Sequence, residues 1–140
     1  MIDSHCHLYF HNLKNNLPQI IKNANINKIC SILSINTNPI DFEDHYNIIK
    51  NNKSIFISYG LHPSEVKDKN LITSDLIIKK CKLKKVIGIG ETGLDFYHSK
   101  DYLKEQYKVF EQHIEASIIN NLPLIIHQRN SENEIIDVLN

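Results

Sequence analysis

Lys85–Asp95 reads KVIGIGETGLD. Its first half, KVIGI, is a short, nearly continuous apolar run of β-branched residues. Its second half sets Glu91 among Gly88, Gly90 and Gly93 and ends on a further carboxylate, Asp95. A run that is apolar throughout, rather than at alternate positions, suits a strand buried on both faces, as in a parallel sheet. The glycines leave the backbone bare, which suits a close approach by another group near Glu91.

Four other runs have the same character: Ile2–Leu8 (IDSHCHL), Lys28–Ile35 (KICSILSI), Ser54–Leu61 (SIFISYGL) and Leu124–His127 (LIIH). Helical patterns separate them. Leu13, Leu17, Ile20, Ile21 and Ala24 recur at helical spacing, and Phe42, Tyr46 and Ile49 share one side of Asp41–Lys50. Leu71–Cys81 follows, with Thr73, Ser74 or Asp75 as its cap. Asp101–Asn121 is the clearest helix, with Leu103, Tyr107, Phe110, Ile114 and Ile118 at three- and four-residue intervals. A last helix begins at Ser131, where S-E-N-E has the form of a capping box. The chain is thus five βα units in series, and strict alternation implies a parallel sheet with right-handed crossovers.

At 140 residues and 41% hydrophobic content the chain is one domain with enough apolar material for a core. Its 16 basic and 16 acidic residues cancel, so there is no electrostatic footprint for non-specific binding to nucleic acid or membrane. A nucleic-acid substrate would have to be held by local groups or metal ions. Cys6, Cys30 and Cys81 are scattered, without C-x-x-C spacing, which argues against a disulfide framework or zinc knot and for a reducing, cytoplasmic setting. The N-terminus carries no signal-peptide pattern, and no apolar run approaches the ~18 residues of a membrane span.

In parallel α/β folds, function gathers at the carboxyl ends of strands. His5 and His7 lie at the end of the first run, His62 at the third, Glu91 and Asp95 at the fourth, and His127 and Arg129 at the fifth. Residues two apart on a strand share a face, so His5 and His7 project together, as do His127 and Arg129. Imidazole with carboxylate suits Zn²⁺, Mn²⁺ or Fe²⁺, and Mg²⁺ less well. Glu91 can bridge two cations, one on each oxygen, which is the arrangement that activates water and clamps a phosphoryl group. Each residue alone has a plainer reading: His5 and His7 as a solvated strand end, Asp3 as a cap on the chain entry, His62 as loop packing, His127 as a core histidine, Arg129 as a surface charge. Their convergence on one rim favours a metal site. His11, His45, His98 and His113 fall in helices or loops and are expected to be solvated.

These stretches resemble the TatD-type metal-dependent hydrolases, a branch of the amidohydrolase-like TIM barrels. IDSHCHL, GLHP, GIGETGLDFY, the EQ-x3-F-x-Q of Glu105–Gln112 and LPLIIHQR occur in that family's order and spacing, from Ile2 to Arg129. The resemblance implies a deoxyribonuclease that hydrolyses phosphodiesters with two divalent ions (Mg²⁺, Mn²⁺ or Zn²⁺). His5 and His7 would hold one metal, His127 the other, and Glu91 would bridge. His62 and Arg129 would contact substrate, and Asp3 and Asp95 would support the ligands. Some members cleave aminoacyl-tRNA esters instead.

The family barrel has eight strands over ~250 residues, whereas this sequence reaches Asn140 after its fifth unit. The family's later histidine and its late aspartate, a metal ligand and base, have no counterpart. The expectation is therefore the N-terminal portion, residues 1–140, of a single TatD-like barrel domain, an incomplete (β/α)8 barrel with strands in the order 1-2-3-4-5. Such a chain would act on DNA weakly or not at all, bind metal weakly and self-associate through open sheet edges. The competing expectations are a non-catalytic remnant and a flavodoxin-like binding module, whose order would be 2-1-3-4-5.

Overall fold

The computed structural model describes residues 1–67, 72–97 and 101–140. Among them are β1 (Ile2–Cys6), β2 (Ser31–Ser34), β3 (Ile55–Tyr59), β4 (Val86–Asp95) and β5 (Leu124–Arg129). They form one sheet in the order β1-β2-β3-β4-β5, and every neighbouring pair is parallel. The helices are α1 (His11–Lys14), α2 (Leu17–Ile26), α3 (Phe42–Ile49), α4 (Ser74–Lys80), α5 (Leu103–Asn120) and α6 (Glu132–Leu139). Sequential order rules out the flavodoxin-like alternative, which needs β2 outside β1. The architecture is a curled, incomplete α/β barrel.

The apolar runs supply the wall of the main core. Ile55, Ile57 and Tyr59 of β3 and Ile89 of β4 are buried against helices, and Phe42 of α3 meets the Tyr59 ring edge-on at 4.7 Å. Each such aliphatic side chain contributes about 1.5–3 kcal/mol by leaving water. A smaller cluster of Leu94, Phe110 and Ile135 ties α5 and α6 to the end of β4.

Several local expectations change. The helix expected through Leu13–Ala24 is two pieces, because Pro18, near the start of α2, cannot donate to or clear the preceding turn. Thr73 caps α4 by accepting from the Leu76 N–H at 3.3 Å, while Leu71 lies outside the described residues. Ser131 makes no capping bond to α6; its hydroxyl donates instead to the Leu94 carbonyl at 2.9 Å. On α5 the buried face is Gln106, Val109, Phe110, His113 and Ala116, so the expected apolar stripe is rotated, and Ile118 is 75% exposed.

The strand expected over Lys85–Ile89 continues to Asp95, because β5 pairs with it residue by residue from Thr92↔Ile126 to Asp95↔Arg129. Gly90 and Gly93 have φ of +129° and +136°. A Cβ at Gly90 would lie 2.3 Å from the Ile125 carbonyl oxygen, and one at Gly93 would lie 2.2 Å from that of His127. The close approach foreseen at these glycines is therefore made by the β5 backbone.

Two histidines expected to be solvated are core residues. His113 is fully buried: its Nδ1–H donates to the Val109 carbonyl at 2.6 Å, and Nε2 accepts from the Leu61 N–H at 3.1 Å. Burial pushes its pKa down to about 4. His45 is also buried, with Nε2 2.7 Å from Ser34 Oγ, which accepts from the Leu8 N–H; burial likewise pushes it down to about 4. His11 is exposed as expected, and His98 lies outside the described residues. No helix among the described residues is long and apolar enough to cross a membrane.

Candidate metal centre

The carboxyl ends of β1, β3, β4 and β5 enclose a cleft of about 380 Å³ whose walls include His7, His62, Glu91 and His127. Glu91 is its centre. The residue is 7% exposed, and its backbone N–H is fixed on the Asn36 carbonyl at 3.2 Å. Its oxygens face different partners. Oε2 lies 3.6 Å from His5 Nε2 and 4.0 Å from His7 Nε2. Oε1 lies 3.4 Å from His127 Nδ1 and 4.0 Å from His62 Nε2. Two donor sets therefore share one carboxylate, His5–His7–Glu91 and His62–Glu91–His127, and in each the donor atoms lie within 4.8 Å of one another.

His5 belongs to β1 and His7 follows directly after the strand, yet both rings reach Glu91 Oε2, their centroids 5.1 Å apart. A register irregularity between Asp3 and Cys6 accompanies this turn of the strand end. His62 is set by its loop: Nδ1 accepts from the Ser64 N–H at 3.1 Å at the start of the turn Pro63–Glu65. In the neutral ring the proton is then on Nε2, which faces His127 Nδ1 at 2.9 Å. His127 Nε2 meets Asp95 Oδ2 at 3.0 Å, and Asp95 Oδ1 accepts from the Tyr97 N–H at 3.0 Å. These bonds run in one sense, from the Ser64 amide through His62 and His127 to Asp95. They hold the His127 ring by its Nε2 on Asp95 and leave Nδ1 facing both His62 Nε2 and Glu91 Oε1, the geometry of a carboxylate-oriented metal-binding imidazole.

The titration behaviour follows. Burial raises the Glu91 pKa, but the His127 hydrogen bond and the charges of His62, His5 and His127 outweigh it, leaving the carboxyl below its ordinary value. Burial, with the neighbouring His127 charge, pushes His62 down to about 4, and burial lowers His7. The bond to Glu91 raises His127 against its burial, with help from Asp95. An anionic carboxylate beside His7 and His62, both pushed toward the neutral form, is a donor set ready for a cation. His7 Nδ1 is buried with no hydrogen-bond partner.

Of the remaining residues singled out in the sequence, Asp3 accepts from the His5 N–H at 3.2 Å and so braces β1 from its own backbone. The Arg129 guanidinium lies over the Tyr97 ring, 3.8 Å from its centroid. Neither side chain is among the described residues lining the cleft. Sequence reasoning assigned no part to Gln106, whose side-chain oxygen accepts from the Asp95 N–H at 2.9 Å and whose amide donates to the Asp95 carbonyl at 3.3 Å. Its place in EQ-x3-F-x-Q was the available signal. Phe10 and Ser64, which also line the cleft, carried none beyond adjacency to the histidine motifs.

The profile of the TatD related DNase family matches residues 2–140. A Buchnera aphidicola (strain Bp) protein named an uncharacterized metal-dependent hydrolase is 35% identical over 99% of this chain and 53% of its own length. YabD of Bacillus subtilis, with the same description, is 28% identical over 99% of this chain and 54% of its own. The mouse protein TATDN3, named a putative deoxyribonuclease, is 28% identical over 99% and 52%. Among solved structures, the TatD homologue YJJV of Escherichia coli superposes with a TM-score of 0.87 at 21% identity, covering 99% of this chain and 54% of that one. The chain spans about half the length of the curated relatives it matches. It belongs to the TatD related DNase family.

Proposed function

We propose that this rim serves a metal-dependent hydrolase that cleaves phosphodiester bonds in DNA. One observation carries the reading: Glu91 turns one oxygen to His5 and His7 and the other to His62 and His127. The names of the relatives, metal-dependent hydrolase and putative deoxyribonuclease, support it from outside the chain.

In this reading His5, His7 and Glu91 hold one divalent ion, and Glu91 with His127 Nδ1 holds a second. Mg²⁺, Mn²⁺ and Zn²⁺ all suit mixed imidazole and carboxylate donors to differing degrees. When bound, such ions supply Lewis acidity toward water and toward a phosphoryl oxygen. Asp95 fixes the His127 ring, and Gln106 fixes the Asp95 backbone, so the donor is held before any ligand arrives. His62 keeps its Nε2–H because Nδ1 is engaged by Ser64; it binds a phosphate oxygen as a donor rather than serving as a ligand. Arg129, ordered on Tyr97, lies at the end of β5 and meets a more distant phosphate.

The test is hydrolysis of an end-labelled single-stranded oligodeoxynucleotide by the 140-residue chain. The expected result is cleavage that requires Mg²⁺ or Mn²⁺, stops with a chelator and falls at least about 100-fold in His127→Ala. Cleavage that is indifferent to metal and to His127 overturns the proposal, and its complete absence at every metal concentration favours the non-catalytic remnant instead. Hydrolysis of an aminoacyl ester in place of DNA moves the same site to a different bond.

A further inference from the structure

The cleft is polar, yet a phenyl ring stands at its mouth. Phe10 lines the cleft alongside His7, His62, Glu91 and His127 and is 55% exposed. Its ring lies flat on the His7 imidazole, with centroids 4.7 Å apart and planes 8° from parallel. The backbone fixes this pose from both sides. The Phe10 N–H donates to the His7 carbonyl at 3.0 Å, and the Phe10 carbonyl accepts from the N–H groups of Leu13 and Lys14 at 2.8 and 2.9 Å where α1 begins. One face of the phenyl is thus covered by the imidazole, while the residue as a whole stays exposed.

A flat apolar face beside a cation-binding carboxylate matches the two halves of a nucleotide. The phosphate needs charge, and the base needs a π surface. Stacking on an aromatic side chain accepts any base, because every base has a π face. A base within a duplex is covered on both faces by its neighbours and cannot use it. We propose that Phe10 is a stacking platform for an unpaired nucleobase next to the phosphate seated at Glu91. The proposal rests on the reading of the cleft as a phosphodiester site.

The sequence contains no tryptophan, so Phe10→Trp installs a unique fluorophore at the platform. The chain is titrated in Mg²⁺ with a short oligodeoxythymidylate and with the same strand carrying abasic sites at the end to be bound. The reporter label sits on the opposite end, and strand integrity is checked by gel. Quenching of Trp emission by the base-bearing strand alone is expected, with about tenfold weaker binding of the abasic strand to the natural chain. Phe10→Tyr keeps that discrimination. Phe10→Leu, which still covers His7 but has no π face, loses it. If both strands bind equally and Trp emission does not change, the platform is overturned while the phosphodiester reading stands. If no strand binds at all, both fall.

Discussion

His113 on α5 and His127 on β5 sit on adjoining elements of one wall, and both are withdrawn from bulk water. His113 has each ring nitrogen on a backbone partner, the Val109 carbonyl and the Leu61 N–H. It is neutral, and its work is to pin α5 to the loop that carries His62. His127 has one nitrogen on Asp95 and turns the other to His62 and Glu91. The first arrangement is saturated. The second sets an imidazole nitrogen beside a carboxylate oxygen at a cleft. His45 stands between these cases, with Nε2 on Ser34 Oγ and Nδ1 buried without a hydrogen-bond partner, while His7 turns its Nε2 to Glu91. Burial of an imidazole therefore says little about its role here; what its nitrogens face decides it.

Substitutions should split along that line. His113→Ala removes a fully buried ring and strands the Leu61 N–H, and is expected to cost about 3 kcal/mol of stability in urea unfolding. His127→Ala should cost far less stability in the same measurement. A fall of similar size in both would erase the distinction between the two regions.

Asp95→Asn tests the other side. The ring of His127 loses its anionic anchor, and divalent-metal affinity measured by calorimetry should fall about 10- to 100-fold. A loss of stability without a loss of affinity would make Asp95 a packing residue only.

The pH dependence of stability sharpens the comparison further. His113 and His45 titrate near pH 4 in the folded chain, against about 6.5 when unfolded. The unfolded chain binds more protons between these values, so stability is fully present above about pH 6.5 and lost as pH falls toward 4. Urea midpoints measured across this window should decline, and less steeply in His45→Gln. A flat profile would mean that neither ring is held neutral by the fold. The smallest effect is expected at His11, an exposed residue whose ring contacts Asn15; His11→Ala should stay within about 0.5 kcal/mol of the natural chain.

The succession of strands and the rim composition were legible in the sequence because both follow from short-range facts, whereas the order 1-2-3-4-5 rested on the family resemblance. Buried parallel strands read as continuous apolar runs, and Glu91, His62 and His127 each terminate one. What was not legible depends on side-chain direction and on backbone contacts between units. KVIGIGETGLD shows three glycines, but only β5 pressing against Gly90 and Gly93 reveals why they are glycines. His113 shares a helical face with Phe110 and Ala116, a signal masked by the competing stripe through Ile114 and Ile118. The capping-box letters at Ser131 are present, yet the hydroxyl is taken by Leu94 across the sheet, a long-range partner that local pattern cannot supply. Arg129 alternates with His127 in the sequence, but the Tyr97 ring claims its guanidinium.

The central claim is that Glu91 links two cation-binding donor sets. It is tested most directly by titrating Mn²⁺ or Zn²⁺ into the natural chain and into Glu91→Gln by calorimetry, with circular dichroism to show that both are folded. The amide keeps the size of the side chain and removes its charge, so affinity should fall about 100-fold or more with the fold intact. Equal affinity and stoichiometry in the two proteins would place any bound metal elsewhere and contradict the account.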